Sequence, residues 1–257
     1  ELRRLNALYF RTGHEETRQI GLHRLRQFTQ PAAFPAMLEV FGRSGDDVRE
    51  GVLDHLASLE DQDADTTLAW AAVFGRDGAW RESARERLSA RVEAEGSVSE
   101  PIRFIVEGAL SKHNQEEMIA GAEVADLLSI YEVIPHLINA QVGGGSSEAR
   151  EGSGSLAWIV IGNQISFVSD LTPIVADSAV AFDPQLSVVT EGVILRVDDA
   201  VVVTYLPQIN RVLNRLGSRL TGQATDGMGY DLAAWRRWHD EVYLSTMAAR
   251  QTAADGG

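Results

Sequence analysis

One segment recurs three times near the start of this 257-residue chain. It reads Arg18-Gln19-Ile20-Gly21-Leu22-His23-Arg24-Leu25, then Arg49-Glu50-Gly51-Val52-Leu53-Asp54-His55-Leu56, then Arg81-Glu82-Ser83-Ala84-Arg85-Glu86-Arg87-Leu88. Each copy opens on Arg, follows it with Gln or Glu, keeps a small or modest residue at the fourth place and closes on Leu. The copies lie roughly 31 to 32 residues apart, the length of a helical hairpin rather than of a domain, so the chain is expected to be built by stacking hairpins.

The residues around the repeat supply a first helix and a polar turn for each copy. The spacing predicts helical pairs at about 2–11 and 15–28, 32–41 and 46–59, and 64–74 and 79–92. Pro31 and Pro35 stand near a helix start, while Gly42, Gly45, Gly75 and Gly78 mark turns. Leu68, Ala71, Ala72 and Val73 form one apolar face, and Ala84, Leu88 and Val92 another. A looser fourth pair opens at Pro101 and at Glu116, and a fifth first helix covers about 129–142.

The period then changes. Residues 143–155 are rich in Gly and Ser and read as a flexible loop. From 156 to 204 the chain is rich in Val and Ile, with turn signals at Gly162-Asn163, Asp183-Pro184, Glu191-Gly192 and Asp198-Asp199. This predicts an antiparallel meander of four strands, about 156–161, 164–175, 179–196 with an interruption near Pro184, and 200–204. Helical signals return at Leu206 and Pro207, where Ile209, Val212, Leu213 and Leu216 share a face. That helix would be the second member of the fifth pair, making the strands an insertion. A capping helix at about 231–247 and a frayed tail at 251–257 complete the expectation. The divisions are therefore 1–142 for the helical repeats, 143–155 for the loop, 156–204 for the β insertion and 205–257 for the final helices and tail.

Charge and composition narrow the function. The chain carries 37 acidic and 23 basic residues, a formal charge of -14, which opposes nucleic-acid binding because phosphate recognition needs clustered cations. A basic protein or peptide segment is the partner expected from that balance. No Cys is present, excluding disulfides, thiolate metal sites and a cysteine nucleophile. No run of about 18 apolar residues predicts a membrane span. A chain beginning at Glu1 rather than Met suggests a leader or upstream domain that has been removed. Nothing in the sequence fixes an oligomeric state.

Acids at the interhelix turns precede the repeated arginines, as in Asp46-Asp47-Val48-Arg49 and Asp77-Gly78-Ala79-Trp80-Arg81. A carboxylate suits a helix N-terminus, where free N–H groups and the dipole favour negative charge. Arg18, Arg49 and Arg81 can then reach a neighbouring turn carboxylate such as Asp46 or Asp77 through forked hydrogen bonds. This acid and Arg pattern resembles HEAT repeats, particularly their short bacterial form, over roughly residues 2–142. The resemblance implies an α-solenoid. In the fourth copy Glu117 stands where Arg is expected.

Arg24, His55 and Arg87 occupy corresponding places in successive second helices and could form a surface ladder for a partner. Solvated decoration is the alternative. The scattered histidines 14, 23, 55, 113, 136 and 239 match no metal-ligand spacing, and the acidic run at 60–65 lacks the register of a calcium loop. Neither a P-loop nor a GxSxG elbow occurs, and no cofactor is implied. Asp183, Glu191, Asp198 and Asp199 could in principle serve acid and base roles, although turn-forming Asp and Asp-Pro explain most of them.

At the C-terminus, Leu220-Thr221-Gly222-Gln223, Gly229-Tyr230-Asp231 and Ala234-Trp235-Arg236-Arg237-Trp238 are similar to a terminal segment of exported HEAT-repeat proteins of planctomycete-type bacteria. That resemblance implies a cell-envelope location, the alternative being cytoplasmic, and no activity. Trp235 and Trp238 lie on one side of the last helix and can either cap the array or anchor a partner. The expected function is a non-catalytic scaffold or adaptor for a protein or peptide. The alternatives are an enzyme with carboxylates at the junction of helices and strands, and a phycobilin lyase, which shares only the repeat type.

Overall fold

In the computed structural model the chain is mainly helical with an antiparallel sheet inserted late in the sequence. The structure describes residues 1–143, 155–176, 179–198 and 201–255. Most of the Gly/Ser loop, Asp199 and the last two glycines lie outside the described residues.

Helix α1 (Leu2–Leu5) runs on through a π-helical turn (Asn6–Phe10) and precedes α2 (Glu15–Leu25). The next pairs are α3 (Phe34–Phe41) with α4 (Asp46–Ala57), α5 (Gln62–Phe74) with α6 (Gly78–Glu95), and α7 (Glu100–Leu110) with α8 (Gln115–Leu127). Helix α9 (Ile134–Ala140) follows. Side chains start several of these helices. Asp61 accepts from Asp63 N and Ala64 N, Asp77 from Trp80 N, and Asn114 from Glu116 N, each satisfying a backbone donor that the first turn leaves free.

Each helix touches its sequence partner and its counterpart in the next pair. First helices meet in the order α1, α3, α5, α7, α9, and second helices in the order α2, α4, α6, α8. One apolar cluster runs through both files, with Leu25, Phe34, Phe41, Leu53, Leu68, Leu88, Ile102 and Ile134 all fully buried. Removing this apolar surface from water is the main drive for stacking, because a single hairpin has only one neighbour face to cover.

The sheet interrupts the series between α9 and α10 (Pro207–Thr221). Strands β1 (Val142–Gly143), β2 (Ser155–Ala176), β3 (Ala179–Asp198) and β4 (Val201–Tyr205) are antiparallel and lie in the order β1, β4, β3, β2. Helix α10 then packs on both α8 and α9. Its Ile209, Val212, Leu213 and Leu216 are buried. Val142 pairs with Tyr205, and Leu206 N donates to Gln141 O at 2.9 Å, so the chain leaves and re-enters the helices at adjacent points.

Two expectations for the strands are corrected. Gly162-Asn163 and Glu191-Gly192 do not reverse the chain; they pair with each other in the middle of the β2–β3 ladder. A Cβ at Gly162 would stand 2.1 Å from Glu191 O and one at Gly192 2.5 Å from Ile161 O, so glycine here serves a close approach of two strands. The predicted first and second strands are consequently one. Pro184 also lies within continuous β3, opposite Leu171 and beside a register shift between Val168 and Asp170. Strand β4 pairs with β3 only from Ile194 to Asp198, so Pro184 has one ladder neighbour and its missing N–H costs little.

After α10 the chain forms α11 (Leu232–Trp238), a π-helical turn (His239–Tyr243) and α12 (Leu244–Asp255). The tail expected to fray from 251 is helical through Asp255. Its Ala-rich sequence has no breaker before Gly256, and alanine is the best helix former.

Candidate functional site

The repeated arginines join one pair to the next. Arg18 Nε donates to Asp47 Oδ2 at 2.6 Å, and Arg49 bonds both Asp46 in its own helix and Asp77 at the start of α6. Arg81 lacks a turn carboxylate ahead, since the next pair offers Asn114, and donates instead to Gly75 O at 2.9 Å. Arg18 makes the equivalent backbone bond to Thr12 O. In the fourth copy Glu117 pairs with Lys112.

Asp77 is held below the ordinary aspartate pKa, first by the Trp80 backbone N–H and then by the Arg49 guanidinium. Arg49 is raised by its bonds to Asp46 and Asp77. A carboxyl depressed in the folded state stabilises fully above its unfolded pKa and loses that contribution as pH falls through the lower, folded one. Between about pH 5 and about pH 2 the wild type should therefore lose more stability than Asp77→Asn, which keeps a capping side chain without a titrating charge. Urea denaturation across that range checks this, and equal acid sensitivity would contradict the Asp77 bonds.

The second row of residues does not form an open ladder. His55 is 3% exposed and its Nε2 lies 2.9 Å from Phe28 O, so it ties the first pair to the second from inside. Arg87 reaches back to Glu50 and Asp54 at 2.8 and 2.7 Å and is largely covered. Arg24 is exposed, with its guanidinium carbon 5.0 Å from the centre of the Tyr9 ring. Three positions in register therefore have three separate tasks. Of the candidate pair at the C-terminus, Trp235 is corrected: it is fully buried, donates through Nε1 to Gly229 O at 2.8 Å and meets Trp238 edge-on at 5.4 Å. It belongs to the core. Trp238 is half-buried beside it.

The acids of the β region are strung along one strand. Asp183 pairs with Thr172 and Glu191 with Asn163, while Asp198 ends β3. At about 3.3 Å per residue these positions are spread over roughly 50 Å, so they do not converge. Asp199 lies outside the described residues. Among the described residues no group of three or more His, Asp or Glu could hold a metal ion, and no helix is long and apolar enough to cross a membrane.

Among the described residues a concavity lies elsewhere, between α3, α5 and the start of α6. It is a groove of about 630 Å³. Pro35, Leu38 and Gly42 form one wall, Trp70, Ala71 and Phe74 the other, and Trp80 closes the side. Trp70 is 49% exposed, an unusual state for so large an apolar side chain, and its ring lies 5.1 Å from that of Phe74. Trp80 is buried and stands between the groove and the repeat arginines, with the Arg49 guanidinium carbon 5.7 Å from its ring centre. A Cβ at Gly42 would stand 2.6 Å from Leu38 O and 3.1 Å from the Trp80 ring, so glycine fits the close backbone at the end of α3 and leaves the indole in tight contact with it. The arginine bonds thus hold one wall of the groove.

Polar groups border the apolar walls. Glu39 is paired with Arg3 at 3.1 Å, and Thr66 and Thr67 line the α5 side. Arg43 and Arg76 follow the two glycines at the groove's turn end. Both are exposed and have no hydrogen bond or ion pair among the described residues.

No family model, no curated protein and no solved structure matches the chain. The functional reading therefore rests on the geometry.

Two signals in the sequence could have located this groove. Phe41-Gly42-Arg43 recurs as Phe74-Gly75-Arg76, setting an aromatic, a glycine and a cation at the same point of successive turns. Trp70 also stands outside the apolar face formed by Leu68, Ala71, Ala72 and Val73, with Phe74 one helical turn on.

Proposed function

We propose that this chain is a non-catalytic scaffold that binds a protein or peptide segment in the groove between α3 and α5. In this reading the two files of helices are a HEAT-like α-solenoid. The repeated acid and Arg bonds between neighbouring pairs support it, as does the packing of α10 on α9 across the inserted strands. The resemblance of the C-terminal segment supports an exported protein of the bacterial cell envelope.

The observation that carries the binding role is the half-exposed Trp70 in an apolar groove of about 630 Å³, a size suited to one or two large side chains. Tryptophan and arginine are the residues most enriched where a few contacts supply most of the binding energy. The wide separation of Asp183, Glu191 and Asp198 along β3 supports a binding role over acid–base chemistry.

Selection of a displayed random-peptide library on the full chain, repeated with Trp70→Ala, tests this. Enriched peptides should bind the wild type and weaken about thirtyfold or more on Trp70→Ala, the size expected of a hot spot near 2 kcal/mol. Because Trp70 is half-exposed, the variant should fold normally. Peptides that bind both proteins equally would contradict the proposal.

A further inference from the structure

The occupant of the groove can be given a chemical class. Resting on the binding role proposed above, we infer that the groove selects an acidic segment, one large apolar side chain flanked by carboxylates, and that Arg43 and Arg76 are the residues that choose it.

The charge of the whole chain points the other way, toward a basic partner, but the local charges differ. Glu39, the one carboxylate in the groove lining, is already answered by Arg3 at 3.1 Å. The turn acids nearest the two arginines are engaged too: Asp46 and Asp77 on Arg49, and Asp47 on Arg18. Arg43 and Arg76 remain exposed and without an ion partner among the described residues. Lys112 Nζ lies 4.1 Å from the Phe74 ring centre but is already paired with Glu117, so it adds no free cation to the two arginines.

Two guanidinium groups at one end of an apolar groove favour a ligand that fills the groove and places carboxylates at its edge. Arginine is suited to this because its planar fork can give two parallel hydrogen bonds to one carboxylate. A basic segment would bring like charges together at the same edge and be rejected. Nucleic acid fits less well. Its affinity comes from neutralising many phosphates, whereas this site offers two free cations, an apolar floor and a surrounding net charge of -14.

The test uses three fluorescein-labelled peptides of equal length, each with a central Phe-Leu pair, flanked by Glu and Asp, by Gln and Asn, or by Lys. Fluorescence anisotropy is measured on the full chain, on Trp70→Ala and on the double variant Arg43→Glu/Arg76→Glu. The acidic peptide should bind about tenfold more tightly than the neutral one, and the Lys peptide most weakly, in line with two rim ion pairs. The double variant should reverse that order while keeping the wild-type melting temperature, because neither arginine has a partner among the described residues.

If the acidic and neutral peptides bind alike and both weaken on Trp70→Ala, the groove role stands and the acidic preference is overturned. If no peptide binds, or the Lys peptide binds best to the wild type, the preference is overturned too, and the library selection decides the groove separately. Binding of single-stranded DNA that is lost in the double variant but kept in Trp70→Ala would replace the peptide with nucleic acid.

Discussion

Trp235→Ala is expected to destabilise the protein by about 3–5 kcal/mol, the range for removing a fully buried aromatic side chain. Against a typical total of about 5–15 kcal/mol, that is a large fraction of the stability. Trp235 is completely buried, and its helix α11 packs on α9, so the truncation opens the end of the apolar cluster. Trp235→Phe separates ring from hydrogen bond. It keeps most of the apolar contact and loses only the Nε1 donor to Gly229 O, a carbonyl that Asn210 Nδ2 also serves at 2.7 Å. That variant should lose about 1 kcal/mol. Urea denaturation measures both. A Trp235→Ala protein within about 1 kcal/mol of wild type would mean that this indole does not close the core.

The second large effect is expected at Asp65. Its side chain is 4% exposed and receives a forked bond from Arg91, Nε to Oδ1 at 2.9 Å and Nη2 to Oδ2 at 3.2 Å. Removing one partner of a buried pair costs about 3–5 kcal/mol because the other charge is stranded. Arg91 is 17% exposed and keeps Glu95 at 2.8 Å, so Asp65→Ala should cost about 2 kcal/mol, below that range. A local readout accompanies it. Glu95 is held above the ordinary glutamate pKa, first by the neighbouring Asp65 carboxylate, with which it would share a proton, then by desolvation and by Asp65's charge. In Asp65→Ala the Glu95 carboxyl should titrate lower, visible by carbon-detected NMR. No change in Glu95 together with unchanged stability would contradict the pair.

The helical pairs were legible because the sequence punctuates them: Gly and Pro mark the turns, and the Arg-to-Leu segment marks each second helix. The return of helical periodicity at Leu206 placed α10 for the same reason. Glycine misled in the strands, because the residue that permits a turn also permits two backbones to approach closely, and Gly162 and Gly192 do the latter. His55 misled because register alone does not say which way a side chain faces. Its counterparts Arg24 and Arg87 are long and charged, but imidazole is short enough to be buried if it finds an acceptor, and Phe28 O supplies one. Likewise Trp235 and Trp238 suggested either a cap or an anchor, and only burial separates the two. The groove was hidden because it belongs to two pairs at once. Each pair contributes one wall, and the concavity exists only after α3 and α5 are set side by side.

The repeated arginines thereby acquire an indirect link to binding. Arg49 bonds Asp77 and lies against Trp80, and Trp80 forms the side of the groove. Stacking and recognition share that contact.

Hydrogen–deuterium exchange of the full chain, with and without the tightest peptide from the library selection, tests the groove most directly. Slower exchange is predicted in α3 and its turn through Arg43, and in α5 and its turn through Arg76, with the second helices and strands unchanged. Protection confined to β2–β4, or to α4, α6 and α8, would contradict the account.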